Sequence, residues 1–326
     1  MRTIALEEHF TTPAFLEGAG RAFKDAMLKS GGDRAAKTLD RLGDLGDGRL
    51  AEMDAAGIDM QLLSLNAPGT EQSGAEEATA IARDANDALA AAVNKHPTRL
   101  AGLAALPTAA PEQAAKELDR AVRQDGFKGA VINGHNRGRY LDDEFYWPIL
   151  ECAETLGVPI YLHPTLPPQA VIEASYGGFS PGETFMLAGP AWGWHIETGV
   201  HVIRMMVRGV FDRFPKLQLA IGHMGEGLPF MLPRLEQVGA GFAAARLERS
   251  LGDYLRQNLH YTFAGFNFTA TFQNLLAEVG VERILFSTDY PYGSMAEARA
   301  FLQGLPIGVA DRERIAHGNA EALFKL

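Results

Sequence analysis

Short apolar, β-branched runs alternate with longer amphipathic stretches along the whole chain. Apolar residues crowded into about 4–8 positions between turn residues mark buried strands, and apolar residues recurring at i, i+3, i+4 and i+7 mark helix faces. On that basis the sequence predicts strands over Thr3–His9, Met60–Leu65, Leu100–Leu106, Gly129–Asn133, Pro159–His163, Leu217–His223, Leu259–Phe263 and Ile284–Asp289. It predicts helices over Arg49–Ala56, Ala75–Lys95, Pro111–Gln124, Asp143–Leu156, Glu197–Phe211, Leu228–Gln237, Ala270–Glu278 and Ala296–Leu302. Eight strands separated by helices point to an α/β fold, a (β/α)8 TIM barrel, and not to a six-stranded open sheet. Two connections are unusually long: Phe10 to Gly48 after the first strand, and Pro164 to Trp194 after the fifth. Such loops carry function or lack order; Tyr176, Phe179, Phe185, Trp192 and Trp194 make the second an ordered cover. With no linker, charge run or repeat, a single domain over residues 1–326 is expected.

The chemistry gathers at strand ends. Parallel barrel strands bring their C-terminal ends to one rim, where barrel active sites sit. The fifth predicted strand ends on His163, the sixth on His223 and the eighth on Asp289. In the first, strand alternation puts Glu7 and His9 on one face and turns Glu8 the other way, with Leu6 and Phe10. Glu7, His9, His163 and Asp289 supply two carboxylates and two imidazoles. That set suits one Zn²⁺ or Mn²⁺ with positions left open to substrate; it lacks the thiolates of a structural zinc site and the all-oxygen shell of calcium. Glu226, three residues after His223, reads as a carboxylate orienting that imidazole or as a helix cap.

Composition narrows the field. Across 326 residues, 30 Lys plus Arg face 40 Asp plus Glu, a net charge of −10 with no basic cluster, so nucleic-acid binding is not expected. No run approaches the roughly 18 apolar residues of a membrane span. The first ten residues run straight into a strand pattern, so no leader peptide is expected. A lone cysteine, Cys152, forms no intrachain disulfide and suits a reducing cytoplasm. It sits in a helical pattern as a small hydrophobe. The site must therefore be built from carboxylates and imidazoles.

Three motifs are set aside. Gly178-Phe179-Ser180-Pro181-Gly182 matches the nucleophile elbow, but Pro181 has no N–H for an oxyanion hole and no convincing strand precedes it. Gly18-Ala19-Gly20 lacks the third glycine of a dinucleotide fingerprint. Glu197 and His201, one helical turn apart, read as a packed, hydrogen-bonded helix face.

Ala5-Leu6-Glu7-Glu8-His9-Phe10, Tyr161-Leu162-His163-Pro164, the run Ile221 to Phe230 and the run Ile284 to Pro291 resemble the amidohydrolase superfamily, in its amidohydrolase-2 branch. More narrowly they look like the metal-dependent, non-oxidative decarboxylases of ortho-hydroxybenzoates: the γ-resorcylate, 2,3-dihydroxybenzoate and 5-carboxyvanillate enzymes. The resemblance runs nearly end to end, through Arg49 to Asp59 and the closing Gly318 to Phe324. It implies that Glu7, His9, His163 and Asp289 bind the metal, that His223 and Glu226 act beside it as an acid/base pair, and that Asn133 and Arg234 lie near substrate. Tyr290 and Tyr292 stand where some relatives carry Trp and Phe, and Tyr292 is placed on the substrate wall. The implied reaction protonates the ring carbon bearing the carboxyl group from Asp289 and then releases CO₂. The partner is a small aromatic carboxylic acid, and a homodimer or homotetramer is expected. Two other functions stay open: hydrolysis of a lactone or amide on the same scaffold, and a metal-binding protein without catalysis.

Overall fold

The structure, a computed structural model, describes residues 1–326, except the side chains of residue 30 and of residues 243–245. Every predicted strand forms, and all eight are parallel and in sequence order: β1 (Ile4–Phe10), β2 (Met60–Leu65), β3 (Leu100–Ala105), β4 (Gly129–Asn133), β5 (Ile160–His163), β6 (Leu219–Ile221), β7 (Leu259–Thr262) and β8 (Ile284–Leu285). β8 returns to β1 through a Leu6–Ser287 bridge and the bonds Leu6 N–H to Phe286 O and His9 N–H to Tyr290 O, at 3.1 and 2.8 Å. The fold is a (β/α)8 barrel.

Alternation along the strands sorts the core into two layers. Ile4, Leu6, Met60, Leu62, Ala101, Leu103, Val131, Tyr161, Ala220 and Leu285 fill the barrel, joined by Ala320 and Phe324 of the last helix. That helix closes the N-terminal end: Lys128 Nζ donates to Lys325 O just ahead of β4, and Lys325 Nζ donates to Gly157 O just ahead of β5. The outward-facing residues pack on the surrounding helices. The opposite end is left for polar side chains. Among the described residues, no helix is long and apolar enough to cross a membrane.

Several expectations need correcting. Simple alternation fails in β1, where the register with β2 shifts between Ala5 and Glu8 and Glu7 takes a positive φ of 59°. This bulge puts Leu6 inside the barrel instead of beside Glu8, and aims Glu7 inward just above it. β6 and β8 stop short of His223 and Asp289, which lie in turns with φ of 49° and 61°. The two long connections are largely helical: Pro13–Glu17 and Arg21–Gly43 in the first, Pro181–Ala188 in the second. Ser180 is the N-cap of that last helix in a capping box with Glu183, so it holds a helix end and is no nucleophile.

Helix Gly193–Val207 carries Glu197 and His201 on a hydrogen-bonded face, as expected. Tyr140 Oη donates to Glu197 Oε1 at 2.5 Å, and His201 Nε2 accepts the Leu141 N–H at 2.9 Å. Burial, with His135 and Arg204 nearby, lowers the His201 pKa from 6.5 to about 3. The unfolded chain therefore takes up a proton below pH 6.5 that the folded chain refuses, and stability falls with pH by up to ~1.4 kcal/mol per unit. His201→Gln keeps an acceptor for Leu141 without titrating. Urea unfolding should show the wild type losing ground to this variant as pH falls from about 6.5 to about 4.5. Parallel stability curves would refute the assignment.

Candidate active site

Glu7 is fully enclosed at the open end of the barrel, and its two oxygens have different fates. Oε2 is held by the hydroxyls of Tyr161 and Thr262, the latter at 3.1 Å. Oε1 is buried without a hydrogen-bond partner, 3.4 Å from His163 Nε2. Burial, partly opposed by His223 and His9, raises the Glu7 pKa to about 7. The carboxylate fits only because residue 222 is glycine: a Cβ there would fall 2.6 Å from Oε2.

His163 donates its Nδ1–H to the Pro164 carbonyl at 2.7 Å, which leaves the Nε2 lone pair facing Glu7. Burial and the neighbouring imidazoles hold its pKa well below the usual value, so the ring is neutral. His9 Nε2 lies 3.2 Å from Asp289 Oδ1, and the ring is edge-on to His163 with centroids 4.9 Å apart. Glu7, His9 and His163 each offer a ligand atom within 4.8 Å of the others. Ligand atoms about 2.0–2.2 Å from one ion lie roughly 3–3.5 Å from each other, which is the spacing of the Glu7–His163 and His9–Asp289 pairs. A buried bare carboxylate oxygen, a neutral imidazole with its lone pair turned inward and a mixed O/N donor set fit a divalent Zn²⁺ or Mn²⁺.

A second arm reaches the same mouth. His223 Nδ1 is 2.7 Å from Glu226 Oε1, and His223 Nε2 is 4.0 Å from Glu7 Oε1. Burial disfavours a charge on His223, but the Glu226 and Glu7 carboxylates outweigh it and raise its pKa to about 10. Glu226 is no mere cap, because its other oxygen meets His195 Nδ1 at 2.6 Å. Sequence reasoning missed His195. It lies 31 residues from Glu226, on a helix whose pattern reads as packing, and no spacing rule links them.

Asn133 and His163 are register partners on adjacent strands, and both continue the inward-facing rows below them. Asn133 is 1% exposed and its Oδ1 has no hydrogen-bond partner. Its side chain also bonds Glu71, a buried carboxyl with its pKa raised to about 7 by desolvation. Tyr292 stands over His9 with ring centroids 5.6 Å apart and donates its hydroxyl to Asn66 Oδ1 at 2.7 Å. Arg234 is not brought to this cluster. It is exposed on helix Leu228–Val238 and bonds Gln237, because the inward phase of that helix is set by Leu228 and Leu232.

Glu8, between the two rim residues of β1, faces outward as expected but is buried. It accepts the Thr288 N–H and hydroxyl at 2.8 and 2.7 Å and the Gln61 amide at 3.0 Å. Arg49, 0% exposed, donates to the His9 carbonyl at 2.7 Å. These bonds pin the residues flanking His9 and Asp289 on either side of the barrel seam.

Residues 9–326 match the family model described as amidohydrolase. The γ-resorcylate decarboxylase of Polaromonas sp. is 40% identical over 339 residues, covering 99% of this chain and 98% of its own. A 2,6-dihydroxybenzoate decarboxylase solved with 2,6-dihydroxybenzoate is 38% identical, with a TM-score of 0.90 over 100% of both chains. A dihydroxybenzoic acid decarboxylase of Polaromonas sp., solved with manganese and the inhibitor 2-nitroresorcinol, is 39% identical, with a TM-score of 0.90 over 100% of this chain and 97% of that one. The chain belongs to the amidohydrolase family, and these three relatives, matched over its full length, are decarboxylases named for γ-resorcylate, 2,6-dihydroxybenzoate and dihydroxybenzoic acid.

Proposed function

We propose that this protein is a metal-dependent, non-oxidative decarboxylase of an ortho-hydroxybenzoate, with 2,6-dihydroxybenzoate as the first substrate to test. The observation that carries the reading is the bare Glu7 Oε1, buried at the rim opposite the His163 lone pair and beside the His9–Asp289 pair. Glu7, His9, His163 and Asp289 would hold Zn²⁺ or Mn²⁺, and manganese in a relative of 39% identity favours the latter. When bound, the ion supplies Lewis-acid polarisation and a template for the substrate carboxylate and its ortho oxygen.

The chain's own groups carry the proton and the orientation. Expelling CO₂ directly would leave an aryl carbanion, so the ring carbon is protonated first. Asp289 gives its proton to the carbon bearing the carboxyl group, forming the new C–H bond. The bond to the carboxylate carbon then breaks, its electron pair returns to the ring, and CO₂ leaves. Asp289 is left ionised and takes a proton from water on its exposed edge, 19% of its side chain. His223, with Nδ1–H bound to Glu226, turns Nε2 toward the substrate and balances its negative charge. Asn133 presents Oδ1 as an acceptor for a ring hydroxyl, and Tyr292 forms one wall. Arg234, outside the cluster, receives no role within its own chain. Exposed Phe230, Met231 and Phe268 on the surface favour assembly into a homodimer or homotetramer. With Cys152 unpaired, a cytoplasmic setting suits the chain.

Metal-loaded protein should release CO₂ from 2,6-dihydroxybenzoate; cleavage of a lactone panel without CO₂ release would replace this reading with a hydrolase. Asp289→Asn should cut kcat at least about a hundredfold while substrate still binds, and unimpaired turnover would remove Asp289 as the donor. Gly222→Ala should displace Glu7 and lower the bound metal measured by mass spectrometry, with little change in fold by circular dichroism. A variant that keeps full metal would show that Glu7 does not need the space. Asn133→Leu should raise KM for a dihydroxybenzoate about tenfold, the worth of one hydrogen bond; an unchanged KM would take Asn133 out of the substrate wall.

A further inference from the structure

His195 is the one buried imidazole tied to the rim cluster that the reaction above leaves without a task. Its Nε2 lies 3.1 Å from Trp194 Nε1, an indole nitrogen that can only donate. The Pro190 carbonyl oxygen, 3.0 Å from the same nitrogen, can only accept, so Nε2 faces one donor and one acceptor. Nδ1 faces only a carboxylate oxygen and therefore carries a hydrogen, which it donates to Glu226 Oε2 at 2.6 Å. The other Glu226 oxygen takes the His223 Nδ1–H at 2.7 Å. One carboxylate, 2% exposed and in a left-handed backbone with φ of 55°, is thus gripped by two imidazoles, one on each oxygen. The two rings lie 4.6 Å apart, and Phe266 stands edge-on to both at 5.2 Å.

A carboxylate bonded through one oxygen can pivot about that bond. Held through both, its plane is set, and so is the ring that depends on it. We propose that His195 is a positioning residue that acts through Glu226 to hold the His223 Nδ1–H in place and aim its Nε2 into the site. The inference rests on the reading that His223 takes part in the reaction. The same geometry argues against a second ion on His195, His223 and Glu226, whose ligand atoms also lie within 4.8 Å of one another. The Nδ1 atoms, the nitrogens that face Glu226, carry the hydrogens donated to it and offer no lone pair there. The clamp also ties the end of the long connection after β5, at Pro190 and Trp194, to the catalytic mouth.

Three substitutions separate the donor from the ring. His195→Asn puts an amide N–H at the place of Nδ1 and keeps the bond to Glu226. His195→Gln carries its amide out to the place of Nε2, and His195→Phe fills the space with no donor. In metal-loaded full-length protein, His195→Asn should keep kcat within about threefold, while the Gln and Phe variants should lose about ten- to a hundredfold in kcat with KM within about threefold. All three should hold one metal ion per chain. Adding His195→Phe to His223→Phe should cost nothing further, as expected for residues that act as one unit. Equal losses in Asn, Gln and Phe would reduce His195 to packing. A rise in KM alone would make it a substrate contact, and multiplied losses in the double variant would cut its link to His223; each result overturns the proposal. Unchanged kcat in His223→Phe alone would overturn the role given to His223, and this inference with it. Where His195→Phe does not fold, the contrast between Asn and Gln decides the matter.

Discussion

A buried carboxylate with one oxygen satisfied and the other bare is the constraint around which this barrel mouth is arranged. Two hydroxyls hold Glu7 Oε2, and among the described residues Oε1 has no hydrogen-bond partner. Leaving a charged oxygen so placed costs several kcal/mol unless a cation or proton meets it. The upward shift of the Glu7 pKa expresses that cost. Three features serve the arrangement directly: the β1 bulge that turns Glu7 inward, the glycine at 222 that leaves room for it, and the inner-layer Tyr161 that reaches up from below. Each would be hard to justify by packing alone.

The neighbouring Glu8 shows how the same three residues divide their work. Glu7 and His9 face the mouth, while Glu8 turns into the gap between barrel and helices. There it bonds Thr288, the residue before Asp289, across the seam where β8 meets β1. β8 is two residues long, and one bridge joins its following turn to β1, so backbone pairing contributes little at this point. Side-chain bonds from Glu8 and Arg49 take over. The rim residues that must stay aligned most closely are therefore held where the sheet itself is weakest.

The pattern of apolar runs alone located all eight strands and the order of the fold, because each strand is buried on both faces and reads as a short apolar run. It also brought Glu7, His9, His163, His223 and Asp289 to one rim, since parallel topology gathers strand ends whatever their sequence distance. Its misses at the rim share a physical origin. Glu7, His223, Glu226 and Asp289 are four of the nine non-glycine residues with positive φ among the described residues, a conformation with no hydrophobic signature and one that concentrates at functional sites. β6 and β8 were accordingly drawn too long at their C-terminal ends. Helix Arg21–Gly43 was read as loop because it buries few side chains and shows no apolar stripe. His195 was invisible for a different reason: its meaning comes from a carboxylate on another element, and pairwise contact leaves no mark in the local pattern.

Charge links these observations to the binding of an anionic acid. The protein carries a net −10, so its overall field opposes such a ligand. At full ionisation the mouth holds three carboxylates, Glu7, Glu226 and Asp289, against one imidazolium on His223. Arg234, which the sequence suggested as a local attraction, lies outside that balance. The mouth is thus as inhospitable to an anion as the rest of the surface until a divalent cation offsets the excess. A cation held by Glu7, His9, His163 and Asp289 would remove that excess where an aromatic acid would bind. The same balance explains why the clamped His223 matters beyond its proton. The carboxylate that sustains its charge, Glu226, sits at Nδ1 on its far side, so Nε2 faces the mouth without bringing Glu226 toward it.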